Sequence, residues 1–336
     1  MLNKDKNNFF NNIFPKEISD DFLFSLDSFN LFLNNLSINQ LSFFNEWSDV
    51  NRKSIVEKYL RPNTKYDWKW SLLFPLFSVL EMYLDTINNP IIIGFSGLPG
   101  SGKSTLGFWI DNVARELALD IKVISLDDFY LPAIEMDDAM KGNPWNVPRG
   151  IPGSHSINLL NQSLDKFLAS GFLRSPIFDK SLRGGRGDRS GWSESKPRVL
   201  ILEGWFVGCE PLSNLLDVDD LDEKTYNLSF SDSEKEYRRS IQSSLKKYSK
   251  IWEKFEKVWH LKSSNFDNTI LWKTQQEEEM INLKGSGLQG NNLSDFIRMI
   301  QASIPQNSLS DIKADTIIEI NQYRRINMLY TNKYSF

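Results

Sequence analysis

The sequence predicts an α/β fold: a parallel sheet flanked by helices, with an all-helical extension ahead of it. Three observations predict it. Short apolar runs at Ile91–Ile93, Ile121–Leu126 and Val199–Leu202 lack helical spacing and suit strands covered on both faces. The first run breaks into a glycine-rich turn, after which Leu106, Trp109, Ile110 and Val113 recur at helical spacing. Residues 1–88 carry helical periodicity alone and no chemical motif.

The turn, Gly97-Leu-Pro-Gly-Ser-Gly-Lys-Ser104, satisfies G-x-x-x-x-G-K-[ST] at every fixed position, between a strand and a helix as that pattern requires. The sheet is therefore expected to be of the P-loop NTPase type. Gly97, Gly100 and Gly102 let main-chain N–H groups converge on phosphate oxygens, with Leu98, Pro99, Ser101 and Thr105 completing the wrap. The helix start adds partial positive charge at the same point. Lys103 is placed to reach the β- and γ-phosphates, and the Ser104 hydroxyl to ligate Mg²⁺. The stretch predicts binding of a nucleoside triphosphate.

At 336 residues the chain exceeds one ordinary domain, so a helical extension (1–88) and a nucleotide-binding domain (89–336) are expected. A net charge of −4 with no long basic block argues against nucleic acid as partner. Cys209 is the single cysteine, which excludes an intrachain disulfide and fits a reducing, cytoplasmic setting. With only His155 and His260 beside it, the usual zinc sites are excluded. No apolar run approaches a membrane span, and Lys4, Asp5 and Lys6 do not open a signal peptide. In the extension, Phe22, Leu23, Leu26, Phe29, Leu31 and Phe32 form one stripe, and Leu72, Leu73, Leu76, Val79, Leu80 and Tyr83 another. Ser19, followed by Asp20 and Asp21, reads as a helix start. Trp47, Trp68 and Trp70 read as packing, in a layer docked on the main domain or a surface for self-association.

The second strand, Ile121–Leu126, ends in Asp127 and Asp128. Ligand chemistry gathers at the carboxyl ends of parallel strands, so Asp127 is expected as a general base and Asp128 as a cap or outer partner. Residues 137–156 form a long irregular loop, and a helix follows over Ile157–Ala169. The stretch Phe178–Ser190 packs Lys180, Arg183, Arg186 and Arg189 around three glycines, the composition of a flexible basic loop for an anion. Arg198–Gly208 repeats the buried-strand pattern and closes on Glu203, a carboxylate placed to bind Mg²⁺. A further strand is expected at Tyr226–Phe230, then a long charged helix from Ser233, whose Arg238 and Arg239 are candidates for a lid over the phosphates. Leu271–Glu279 reads as a polar helix, Gly285 as a break, and Thr316–Ile320 as the last strand.

With these pieces in order, the chain resembles the D-glycerate 3-kinase family of plants and cyanobacteria, within the phosphoribulokinase, uridine kinase and pantothenate kinase superfamily. The resemblance covers about residues 90–320 and rests on Gly97–Ser104, Ser125-Leu-Asp-Asp-Phe-Tyr-Leu131, Arg149-Gly-Ile-Pro-Gly-Ser-His155, Phe178-Asp-Lys-Ser181, Gly185-Arg-Gly-Asp-Arg189, Leu202-Glu-Gly-Trp-Phe-Val-Gly208 and Trp272-Lys-Thr-Gln-Gln-Glu277. It implies an ATP- and Mg²⁺-dependent phosphorylation of a small anionic hydroxy acid, D-glycerate, to 3-phosphoglycerate, the closing step of photorespiratory carbon recovery. By position Asp127 matches the superfamily's base and Glu203 its second acid. Arg149, His155, Asp179 and Trp205 fall to the acceptor site, where Lys180, Arg186 or Arg189 would hold the substrate carboxylate. Two positions depart from the family pattern: Ser156 stands where it continues with Asp, and Lys273 where it has Arg. Other readings at this stage are a kinase of another small alcohol, pantothenate or a nucleoside such as uridine, and a nucleotide-dependent switch protein acting through its N-terminal helices.

Overall fold

The computed structural model describes residues 22–61, 64–213, 222–224, 228–285 and 287–332. The expected helix start at Ser19 lies outside them. Within them the first helix is α1 (Leu26–Asn35), capped by Ser25 Oγ, which accepts the Ser28 N–H at 3.1 Å. Helices α2 (Gln40–Ser48) and α3 (Val50–Glu57) follow, each capped in the same way by Asn39 and Asp49. A helical turn at Tyr66–Trp68 runs through a π-helical stretch, Lys69–Leu73, into α4 (Phe74–Thr86), with Pro75 in its first turn where no N–H is needed.

The sheet begins with β1 (Ile91–Gly97), followed by α5 (Lys103–Glu116), β2 (Ile121–Ser125), α6 (Ala133–Ala139) and α7 (Ile157–Ser170). A hairpin of β3 (Leu173–Asp179) and β4 (Asp188–Ser195) precedes β5 (Val199–Gly204). Then come α8 (Asp232–Trp252), β6 (Lys257–Ser263), α9 (Asn268–Lys284), α10 (Gly290–Ser303), α11 (Gln306–Ser310), β7 (Thr316–Ile320) and β8 (Ile326–Thr331). The main sheet runs β2-β5-β1-β6-β7-β8. Its first five strands are parallel, and β8 closes the edge antiparallel to β7.

Alternation along the central strands divides the core. Ile92, Leu200 and Leu202 face a cluster completed by α7, α8 and α10. Ile91, Ile93, Phe95, Val199 and Ile201 face the other side, where Leu106, Trp109 and Val113 of α5 meet Phe29, Phe32, Phe43, Trp47 and Phe77 of the N-terminal helices. Of the first apolar stripe, Phe29 and Phe32 turn inward while Leu23 and Leu31 stay exposed; Leu72, Leu73, Leu76, Val79 and Leu80 of the second are buried. Polar seams hold them there: the Trp109 indole N–H donates to the Val56 carbonyl at 2.9 Å, and buried Asp67 accepts from Arg325 Nε at 2.8 Å.

Two expectations are corrected, and one strand appears that none covered. Of the anticipated strand at 226–230, residues 226 and 227 lie outside the described ones, and 228–230 form no strand; Phe230 packs beneath the Arg238 guanidinium instead, 4.1 Å from its ring centroid. β1 lies between β5 and β6, and β6 is a short run carrying two lysines that follows a charged helix. The basic loop is a hairpin: its glycines serve the turn, and Gly187, with φ +78°, lies where a Cβ would stand 2.3 Å from the Phe178 ring. No helix among the described residues is long and apolar enough to cross a membrane.

Candidate active site

The carboxyl ends of β1, β5 and β2 lie in one row, Phe95 beside Glu203 and Glu203 beside Ser125. Register alone therefore brings the glycine loop, Glu203 and Asp127 to one edge of the sheet, where open parallel sheets bind ligands. The loop leaves β1 and enters α5 through Gly102, whose φ of +109° only glycine adopts readily, and no side chain caps the helix. The first N–H groups of α5 are left for an anion. Lys103 is buried and donates from Nζ to the Leu98 carbonyl at 3.2 Å. Burial lowers its ammonium below the usual lysine range, against the pull of Glu203 and Asp127. Ser104 Oγ donates to Glu203 Oε1 at 3.2 Å, so the two residues expected at the metal stand together from the ends of α5 and β5.

Opposite the loop, Asp127 and Asp128 part company. Asp128 accepts the Ser125 N–H at 3.2 Å in a capping box, and burial pushes its carboxyl up to about 6. Asp127 accepts from Lys180 Nζ at 2.6 Å and from the Tyr130 hydroxyl. Burial opposes its ionisation, but Lys180 and Tyr130 outweigh it and hold the carboxyl well below the usual range. Asp127, conversely, raises the Lys180 ammonium. His155 stacks on Tyr130 with centroids 4.5 Å apart, and its Nδ1 lies 2.8 Å from the Tyr248 hydroxyl. Its Nε2 is buried without a hydrogen-bond partner, and burial lowers the ring to about 4, so it is neutral at physiological pH.

The remaining expected residues divide. Arg189 reaches the site's wall, its Nε donating to the Tyr130 carbonyl at 3.0 Å while Nη2 stays buried without a partner. Trp205 braces the long loop, its indole N–H donating to the Gly150 carbonyl at 2.8 Å. Asp179 caps its own turn through Ser181, and Arg149 donates to the Gly185 and Arg186 carbonyls. Arg186 pairs with Asp137 at 2.7 Å. The lid expectation for Arg238 is corrected: it is fully buried, paired with Asp222 at 2.7 Å and bonded to the Ala302 carbonyl, so it is a core ion pair. Its neighbour Arg239 is exposed on α8.

Sequence reasoning took Lys273 only as a departure from the family motif and Trp68 only as packing, and it gave Arg324 no role. Lys273, on α9, is buried against Glu277, and its ammonium, lowered by burial, lies within electrostatic reach of Lys180 and Asp127. Its backbone N lies 3.0 Å from where a Cβ on Gly100 would stand, so the start of α9 abuts the glycine loop. Trp68 and Arg324 touch the same loop from behind. The signal for Lys273 was its place in the Trp272–Glu277 motif; for the other two there was none.

No family model matches the chain. An uncharacterised kinase of Schizosaccharomyces pombe, mug58, is 31% identical over 234 residues, 66% of this chain and 82% of that protein. The chloroplastic D-glycerate 3-kinase of Arabidopsis thaliana is 31% identical over 222 residues, 62% of this chain and 45% of that longer protein. The structure of a D-glycerate 3-kinase from Cryptococcus neoformans superposes with a TM-score of 0.64 at 25% identity, covering 80% of this chain and all of that one. Matched in sequence across most of one kinase and in fold across the whole of another, the chain belongs to the D-glycerate 3-kinase family of P-loop kinases and is an ATP-dependent phosphotransferase with an alcohol group as acceptor.

Proposed function

We propose that the enzyme phosphorylates D-glycerate to 3-phosphoglycerate. The observation that carries the reading is the Lys180–Asp127 pair, a cation on the basic hairpin set 2.6 Å from a carboxylate at the end of β2. A hydroxy acid presents both complements: its carboxylate takes Lys180, and its hydroxyl takes the place of Lys180 at Asp127. The names of the Arabidopsis and Cryptococcus relatives agree with that substrate.

In this reading Asp127, held ionised, accepts the proton of the attacking hydroxyl as its oxygen bonds to the γ-phosphorus and the bond to the β,γ-bridging oxygen breaks, leaving ADP. Lys103 and the N–H groups at the start of α5 steady the charge that builds on the β,γ-bridge. Ser104 Oγ and Glu203 Oε1 are hard oxygen donors 3.2 Å apart, and these two residues would hold Mg²⁺. When bound, the ion supplies neutralising charge at the bridge. Arg189 Nη2, buried without a partner, and neutral His155 complete the acceptor wall.

Coupled detection of ADP with D-glycerate, L-glycerate, pantothenate and uridine tests the reading. D-Glycerate is expected to turn over with the highest kcat/KM and to give the 3-phosphate by phosphorus NMR. Preference for a neutral alcohol or a nucleoside would overturn it.

A further inference from the structure

Three consecutive carbonyls of the phosphate loop are occupied. Leu98 accepts from Ser101 N at 3.1 Å and from Lys103 Nζ; Pro99 accepts from Thr269 Oγ1 at 3.0 Å; Gly100 accepts from Arg324 Nε at 2.9 Å. A trans peptide carries C=O and N–H on opposite edges, so pinning the Gly100 carbonyl fixes the whole Gly100–Ser101 plane, which leads into the glycine cap of α5. Arg324 comes from the turn between β7 and β8, more than two hundred residues away, and is itself clamped on every side. Its Nη1 donates to Gln275 Oε1 at 2.9 Å, Nη2 lies 3.4 Å from the Trp272 carbonyl, and the guanidinium lies 5.6 Å from the Trp272 ring centroid. Its own carbonyl accepts the Trp68 indole N–H. Its φ is +54°, a left-handed conformation that a non-glycine residue keeps only where surroundings over-determine it, as they do at functional sites.

Trp68 belongs to the N-terminal layer. Its ring lies 3.0 Å from where a Cβ on Gly102 would stand, and its neighbour Asp67 accepts from Arg325 Nε and from the Ile326 N–H at 2.9 Å. The helical turn at Tyr66–Trp68 therefore grips the residue that holds the loop and the two residues that follow it.

We infer that Arg324 is a positioning residue for the bound nucleotide, and that the N-terminal layer acts on the phosphate loop through it by way of Trp68. The inference rests on nucleotide binding by that loop.

Titration calorimetry of the full chain with MgATP, alongside steady-state kinetics with D-glycerate, tests it. Arg324→Gly suits the left-handed backbone but leaves three acceptors unpaired, so the chain is expected to stay folded at the assay temperature while ATP affinity falls about tenfold. The KM for D-glycerate is expected to stay within about twofold, since the acceptor side is untouched. Trp68→Phe keeps the apolar cover over Gly102 and removes one N–H, so ATP affinity should fall about threefold. Unchanged ATP affinity in Arg324→Gly, or an equal loss for both substrates, would reduce Arg324 to a structural corner. No heat from the wild-type chain would overturn nucleotide binding itself, and this inference with it.

Discussion

The phosphate side and the acceptor side share one edge of the sheet and are made of opposite materials. The proposed phosphate side is nine consecutive residues, Gly97–Thr105, and offers main-chain N–H groups placed by two left-handed glycines, joined by the Lys103 and Ser104 side chains. The proposed acceptor side is made of side chains drawn from separate stretches: Asp127 and Tyr130 after β2, His155 from the long loop, Lys180 and Arg189 from the hairpin, Tyr248 from α8. Main-chain recognition demands a local conformation, and only a narrow set of sequences provides it. Side-chain recognition demands a long-range arrangement that many sequences reach. In the proposed reading the first kind holds the triphosphate and the second the acceptor.

Substitutions separate the two sides. Lys103→Ala, at the only charged side chain within the loop, carries the largest expected effect: kcat falls about a thousandfold or more, because charge at the reacting phosphoryl group is lost. Burial already disfavours its ammonium, so thermal stability should hold; a collapse in melting temperature would make Lys103 a structural residue. Asp127→Asn comes next, with kcat lowered about 10²- to 10⁴-fold and ATP affinity intact by calorimetry. The wild-type pH profile sharpens this assignment. Asp127 is held ionised well below the usual carboxylate range, so as base it puts no acid break in kcat/KM between about pH 5 and 8. A fall in activity below pH 6 would point to Asp128, whose carboxyl sits at about 6.

The same contrast explains what was legible in the sequence. The loop, Glu203 and Asp127 were found because each sits where an apolar strand ends, and parallel register places all three together. The apolar period also located β7 at Thr316–Ile320. The hairpin was hidden because β4 is polar and half exposed along its length, and β6 because its three buried residues, Trp259, His260 and Leu261, are too few for a period. Arg238 looked like a lid because it opens a helix after an expected late strand; its partner Asp222 and the Ala302 carbonyl come from elsewhere in the chain. Trp68 read as packing, and does pack, but against Gly102 of the loop, a contact no local pattern encodes.

On the acceptor side, Lys180→Met should raise the KM for D-glycerate about tenfold or more and leave the KM for ATP within about twofold, since one charge-assisted contact to the carboxylate is removed. The same change removes the cation that holds Asp127 ionised. Its carboxyl should then rise under the burial that Lys180 now outweighs, and an acid limb should appear in kcat/KM that the wild type lacks. An unchanged KM for the acceptor would detach the hairpin from substrate binding and confine the site to the strand ends.

The smallest expected effect falls on Asp128, where the two neighbouring carboxylates can be told apart without turnover. Its carboxyl is raised to about 6 by burial, above the ordinary aspartate value, so the folded state binds its proton more tightly than the unfolded chain does. The stability this contributes is fully present below the unfolded value and is lost as pH rises through 6. Above that, the wild type carries a buried charge that Asp128→Asn lacks, while the Asn side-chain oxygen still accepts the Ser125 N–H. The variant should therefore melt about 2–5 °C higher than wild type near neutral pH, with the gain shrinking as pH falls toward the ordinary aspartate range. Its kcat should stay within about threefold, since a cap does not touch the reacting atoms. A pH-independent loss of stability would show that the capping bond needs a charge, and a loss of turnover would move the base one residue along the chain.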